Sequence, residues 1–323
     1  MQNLVVTFNI VAPFLMYMLF GVLLKRLGFM TPEFTDKLNR IVSGAILPIF
    51  NFYNFLQADL TALKSGGSVL YILLATLCML VILVLLTTFI IKRNPGRGGA
   101  IVDTLFVNNS MVFGNAIALS MYGEGNFDPM LLAAAVLLPV YNGLVLPVIQ
   151  MYGSKQAASE NGSAGKLSAK KMLKDLCTNP LLIAVFLALI FSLLNIRLPQ
   201  VVNTFLAGIS GTLTPLIFMI MGARFTLEGF RHDTKDLSLC LILKLIVIPV
   251  VALALPLSWG YRDCMLLSVL LCFGSPSGVT TVPVSKSCGC DDQFAGEMVA
   301  VSSGLSMLTV FLWIFLFKTL GMM

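Results

Sequence analysis

The sequence predicts an all-α polytopic membrane protein: ten transmembrane helices in two inverted five-helix repeats, with helices 4 and 9 broken. Four observations predict it. The chain is 58% hydrophobic and only 11% charged, with a mean hydropathy of +0.93, whereas soluble domains average about 25% charged residues. Its apolar stretches have the length of bilayer spans, about 20 residues each. Shifted against itself by 167 residues, the chain superposes Pro13 on Pro180, Pro32 on Pro199, Pro48 on Pro215 and Ser43-Gly44 on Ser210-Gly211. The strings SGAILPIF (43–50) and SGTLTPLI (210–217) also align, in a chain with 14 prolines. Two like halves in an apolar chain point to a carrier built from internal repeats. Finally, the odd-numbered loops hold 16 of the 21 Lys and Arg. The even loops and the tail hold four (Lys64, Arg197, Arg262, Lys318), and Lys244 alone lies within a span.

The spans are justified in order. The first, near 8–27, follows MQNLVVTFNI, which has no basic n-region, and it ends in Lys25-Arg26 rather than a small-residue cleavage site. Direct membrane insertion is therefore expected, not a cleaved signal peptide. The second, 38–57, carries Pro48. The third, 68–91, contains VLYILLATLCMLVILVLLTTFII, which does not alternate and so argues against a β-barrel. The fourth (100–122) and ninth (264–285) are the polar ones. The fifth (130–151) contains PVYNGLVLP and is followed by the Gly-, Ser- and Lys-rich stretch 153–176. That stretch is expected to be a partly flexible cytosolic linker with a short basic helix near 167–176. The sixth (178–195), seventh (201–222), eighth (237–257, with Lys244) and tenth (297–318) complete the second half. The domain expectation is a first repeat over 1–152, a linker over 153–177 and a second repeat over 178–323.

The charge distribution puts the odd loops in the cytoplasm and both termini outside a cell (inner or plasma) membrane. Five spans per half is an odd number, so the halves enter the membrane in opposite orientations, a device that supplies inward-open and outward-open states from one sequence. The net charge of +6 fits cytosolic loops facing an anionic leaflet and needs no nucleic-acid partner. Seven scattered cysteines give no disulfide framework. Cys288-Gly-Cys290 is a lone CxC beside a single His232, so neither a metal nor a cofactor is expected.

Polar residues in lipid are packing glue or a transport path. The fourth span contains Asn108-Asn109-Ser110 and Gly114-Asn115, and the ninth contains Gly274-Ser275-Pro276-Ser277-Gly278-Val279-Thr280-Thr281-Val282-Pro283. The 167-residue shift lays Asn109 on Pro276. Pro276 removes a backbone N–H and disrupts the preceding turn, and the flanking glycines ease unusual dihedrals. Broken helices would turn freed N–H and C=O groups towards a cavity, where a half-helix N-terminus favours an anion. The alternative is a proline-kinked helix packed through small residues, as at Gly296, Ala300 and Gly304 in the last span.

The N-S-x-x-x-G order in span four, S-P-S-G-V-T-T in span nine, the S-G-x-x-x-P pair in spans two and seven, and N-P-L-L at 179–182 resemble the auxin efflux carrier family. That family includes plant PIN-type auxin carriers and many bacterial relatives. The resemblance covers the whole chain. It implies that helices 4 and 9 cross as broken pairs, that spans 1, 2, 6 and 7 form a scaffold, and that spans 3–5 and 8–10 form a mobile unit; bile-acid/sodium symporters share this fold. Family members commonly place a proline two residues after the span-four glycine. Here Ala116 fills that slot after Asn115, so the first break is expected to be milder or Asn115 to cap it.

Charges inside the slab have three readings. Lys244, roughly 10 Å past Leu237 at 1.5 Å per residue, snorkels to the cytoplasm, pairs with Asp103 or Glu297, or acts as a counter-charge or proton-linked switch. Substrate contacts are expected from Asn108, Asn109, Ser110, Asn115, Ser275, Pro276, Ser277, Thr280 and Thr281, with Asn51, Asn54 and Asn142 lining a cavity beside them. The leading expectation is a secondary carrier of a small organic anion, an auxin-like monocarboxylate or a malate-like dicarboxylate, working by alternating access. An alternative is a sodium-coupled organic-anion symporter, with H+ or Na+ as coupling ion. A homodimer stays open. The absence of HExxH, GxSxG and Walker A motifs argues against an intramembrane enzyme, and a non-conducting sensor is the remaining contender.

Overall fold

Helix starts are set by local chemistry. Thr31 accepts from the Phe34 N–H at 3.2 Å and Pro32 takes the first helical position, opening α2 (Pro32–Ile41). Asn94 accepts from Arg97 N–H at 2.9 Å ahead of Pro95, opening α5 (Pro95–Phe106). Asp291 accepts from Phe294 N–H at 2.9 Å, opening α14 (Asp292–Thr319). In each case a side-chain oxygen satisfies an N–H that has no partner within the helix.

The computed structural model describes residues 2–57, 67–91, 94–123, 130, 137, 140–161, 180–194, 196, 198–225 and 234–323. Besides those three helices, these residues form α1 (Gln2–Arg26), α3 (Leu47–Gln57), α4 (Gly67–Leu85), α6 (Phe113–Tyr122), α7 (Leu146–Asn161), α8 (Pro180–Leu193) and α9 (Gln200–Arg224). They continue as α10 (Thr234–Ile242), α11 (Ile248–Ser258), α12 (Asp263–Gly274) and α13 (Thr281–Ser287). Among the described residues there is no strand beyond one isolated bridge. Among the described residues four stretches are long and apolar enough to cross a membrane: Leu70–Phe89, Gln200–Arg224, Lys235–Ser258 and Asp292–Thr319. Residues 131–136, 138 and 139 of the expected fifth span, His232 and the expected basic helix at 167–176 lie outside the described residues. The linker expectation needs correction at its start: α7 runs helically through Asn161, well into the stretch 153–176.

Four expected spans contain a π-turn among the described residues, at Val42–Ile46, Leu86–Ile91, Tyr141–Val145 and Leu243–Val247, and three of these turns are followed two residues later by proline: Pro48, Pro147 and Pro249. A proline ring clashes with the carbonyl four residues back and offers that carbonyl no N–H. The carbonyls concerned belong to Gly44, Gly143 and Leu245, all inside the π-turns, where the widened backbone gives room.

Packing sorts the helices into two groups. In one, α1 lies along α9, while α8 and α9 pack on α3. The α1–α9 approach is backbone to backbone: a Cβ on Gly21 would stand 2.0 Å from the Met219 carbonyl oxygen, and one on Gly222 would stand 1.9 Å from that of Met18. Arg224 ties α9 to Asp36 of α2 at 2.6 Å. In the other group, α5 packs on α4, α7, α13 and α14, and α12 packs on α6 and α11. Arg97 of α5 reaches Asp291 at 2.8 Å and Asp236 of α10 at 3.7 Å, and its guanidinium lies 4.1 Å from the centre of the Phe294 ring. The groups meet where α14 packs on α1 and α9, and where Phe218 of α9 sits 5.0 Å from Phe14 and 5.6 Å from Phe113 of α6.

Candidate functional site: two interrupted helices joined by a bridge

α5 stops at Phe106, the chain runs through a single 3₁₀ turn at Asn109–Met111, and α6 starts at Phe113. α12 stops at Gly274 and α13 starts at Thr281. The starts of α5 and α12, their ends, and the starts of α6 and α13 are each 168 residues apart. The sequence register of 167 is therefore off by one residue at the breaks. The extended backbones of the two interruptions pair antiparallel at Asn108 and Ser277. Asn109 N–H donates to the Pro276 carbonyl at 2.9 Å, and Gly278 N–H donates to the Val107 carbonyl at 3.0 Å. In an uninterrupted helix the Asn109 N–H would have served Leu105. Glycine at 278 is required by this approach, because a Cβ there would meet Val107 Cγ1 at 2.7 Å.

The freed carbonyls at the end of α5 are satisfied by a cation. Lys244, fully buried, projects from the π-turn Leu243–Val247 and donates to the carbonyls of Thr104 (3.0 Å), Leu105 (2.8 Å) and Val107 (3.1 Å). Its three N–H donors thus have three partners. Ser277 Oγ adds a bond to the Thr104 carbonyl at 2.8 Å, and the Ser277 N–H donates to Ser302 Oγ at 3.1 Å. The end of α12 is satisfied by neutral groups: Asn108 Nδ2 donates to Cys272 O at 2.6 Å, while also serving Phe106 O of α5 at 3.1 Å, and Ser275 Oγ donates to Leu271 O.

The other expected residues fall as follows. Asn109 is half-buried and its Nδ2 reaches Met221 Sδ at 3.7 Å. Ser110 and Ser275 are buried, Pro276 is buried, and Thr280 is exposed. Thr281 is buried and bonds the Gly278 carbonyl at 2.8 Å. Asn115 sits fully buried in the first turn of α6, just past the interruption. The missing proline at 116 does not bear on the first break, which lies wholly upstream of that slot. Asn51 is fully buried, and neither amide atom has a partner among the described residues. Asn54 bonds Phe50 O at 2.7 Å and Ser210 Oγ at 3.5 Å. Asn142 lies on the π-turn Tyr141–Val145, and its side chain is outside the described set.

The Asp103 carboxylate is fully buried and accepts from Tyr141 OH (3.3 Å) and Ser285 Oγ (3.1 Å). Glu297 accepts from Gln293 Nε2 at 3.3 Å. Lys244 therefore neither reaches the cytoplasmic surface nor forms an ion pair with either carboxylate; backbone oxygens hold it. In the loop before α14, Cys290 Sγ donates to the Ile149 carbonyl at 3.6 Å, and burial pushes its thiol up to about 12. Among the described residues no three His, Cys, Asp or Glu side chains converge as metal ligands would. The sequence reading missed Ser302, Ser285, Tyr141 and Arg97. Ser302-Ser303, with Ser306 and Thr309 further along the tenth span, was the available signal for the first.

A model of a family described as membrane transport protein matches residues 6–314. An uncharacterized transporter from Methanothermobacter thermautotrophicus is 23% identical over 308 residues, which cover 93% of this chain and 94% of that protein.

Proposed function

Since the chain belongs to the membrane transport protein family, the auxin efflux carrier-like family its motifs resemble, we propose that it is a secondary carrier moving a small organic anion by alternating access. The observation that carries this reading is the bridged pair of interruptions. Helices broken in the bilayer are tolerated where the backbone is buried in protein or lines a cavity, and carriers build their sites from such discontinuous helices. The N-terminus of α6 begins at the interruption and directs the positive end of its dipole there. Asn109, half-buried beside it, is the side chain we assign to substrate.

Two further features support a polar guest. Asn51 is a buried amide without a partner among the described residues, a state that costs about 1–3 kcal/mol and that a bound carboxylate would relieve. The pairwise packing also follows the proposed duplication: α1 on α9 in the first-to-seventh pairing, and α8 on α3 in its sixth-to-second counterpart. On this reading the chain has ten spans in inverted halves, with both termini outside the cell membrane. Spans 1, 2, 6 and 7 hold still while the others move.

The test is uptake of labelled organic acids into proteoliposomes. Pro276→Ala is expected to cut transport at least about tenfold while expression stays near wild type, and Asn109→Ala to weaken anion binding in a thermal-shift titration. Wild-type transport in both variants would remove the interruptions from the transport path.

A further inference from the structure

Lys244 occupies a position with the chemistry of a monovalent-cation site. Three backbone carbonyl oxygens, those of Thr104, Leu105 and Val107, converge on its ammonium at 2.8–3.1 Å with water excluded. Rings of carbonyl oxygens replacing a hydration shell are how proteins bind alkali ions in a bilayer. These oxygens also belong to the negative end of the α5 dipole. Their number matches the three donors of an ammonium group, and Asp103, the residue before Thr104, adds a buried carboxylate near the same helix end. The lysine stem reaches the site from the π-turn Leu243–Val247, so the charge is covalently delivered by a neighbouring span.

We propose that Lys244 is a tethered cation filling a carbonyl pocket at the end of α5, and that the protein therefore needs no free monovalent cation at this point. A solution ion would enter the pocket only when the tether is cut. The proposal deepens the carrier reading by assigning the origin of the charge beside the bridge. Its test reads cation binding rather than transport, so the two can fail separately.

The experiment is thermal unfolding of the purified full chain in detergent, with sodium, potassium, ammonium or choline chloride at matched ionic strength. Wild type is expected to unfold at the same temperature in all four. Lys244→Ala is expected to unfold at a lower temperature in choline and to regain at least half of the deficit in ammonium, saturably. Sodium should be less effective, because the oxygens are spaced for an ammonium. Lys244→Met, which fills the pocket with an uncharged chain, is expected to show the deficit without the recovery. If Lys244→Ala does not survive purification, Lys244→Gln takes its place, since its shorter neutral side chain also vacates the ammonium position. The proposal is overturned by an equal deficit in every salt, by a variant as stable as wild type, by the same recovery in Lys244→Met, or by a sodium-specific gain in wild type equal to that of the variant.

Discussion

The two interrupted helices stop for different reasons. In α12 the stop is written into covalent structure: Pro276 follows Gly274-Ser275, has no N–H to give, and disfavours a helix by about 3 kcal/mol. In α5 no proline intervenes, and Val107-Asn108-Asn109 lower helix propensity by only about 0.5 kcal/mol each. Something has to compete for the carbonyls that a continued α5 would satisfy by itself. Lys244 does so with three charge-assisted bonds, each worth about 1.5–3 kcal/mol. Those bonds and the helix dipole offset the several kcal/mol of burying an ammonium. One interruption is thus a property of its own sequence, and the other is imposed by a side chain 137 residues away. The neutral closure of α12 by Asn108 and Ser275 is the weaker one, and it suffices because the proline has already excluded the helix.

The largest effect expected from this contrast is that of Lys244→Met. It takes the cationic donor from all three carbonyls, leaving Thr104 to Ser277, Val107 to the Gly278 N–H and Leu105 to heal or stay bare, and should cost about 3–5 kcal/mol, read as the shift in denaturant midpoint of the purified protein. A loss near the ~0.5 kcal/mol of an ordinary surface change would mean that α5 stops without help and that the contrast is false. Gly278→Ala comes next. The added methyl lies 2.7 Å from Val107 Cγ1, so the bridge opens or the backbone shifts, for about 1–3 kcal/mol by the same measurement. Because it strikes the contact shared by both interruptions, its effect should be non-additive with that of Lys244→Met in a double-mutant cycle. The smallest is Asn108→Ala, which strips the Cys272 and Phe106 carbonyls of their amide donor and should cost about 1–2 kcal/mol. A loss as large as that of Lys244→Met would show that α12 depends on its cap as much as α5 does.

What the sequence revealed follows the same division. Gly274, Pro276 and Gly278 announce a broken ninth segment to any reader of local chemistry, and the structure breaks α12 there. The fourth segment was legible only through its polar residues and its match to the ninth, and that match was one residue out of register. The role of Lys244 was not legible, because its partners are main-chain oxygens that leave no mark on residue identity. The sequence offered Asp103 and Glu297 as partners instead. Asp103 is held by Tyr141 and Ser285, and Glu297 by its own helix neighbour Gln293. The 3.6-residue period of an apolar stretch also conceals a π-turn, so nothing in the sequence marks the prolines at 48, 147 and 249 as residues already accommodated.

Those π-turns set the rotational phase of everything beyond them. A single residue turns an α-helix by about 100°, and a π-turn absorbs one extra residue within the helix. Delete one position from Val42–Ile46 and the turn closes to an ordinary α-turn, leaving Asn51 and Asn54 facing inward. The same deletion between Leu47 and Phe50, where no extra residue is stored, would put Phe52 and Phe55 in the inward seats of Asn51 and Asn54 and dial both amides out of the protein by a change that alters neither of them.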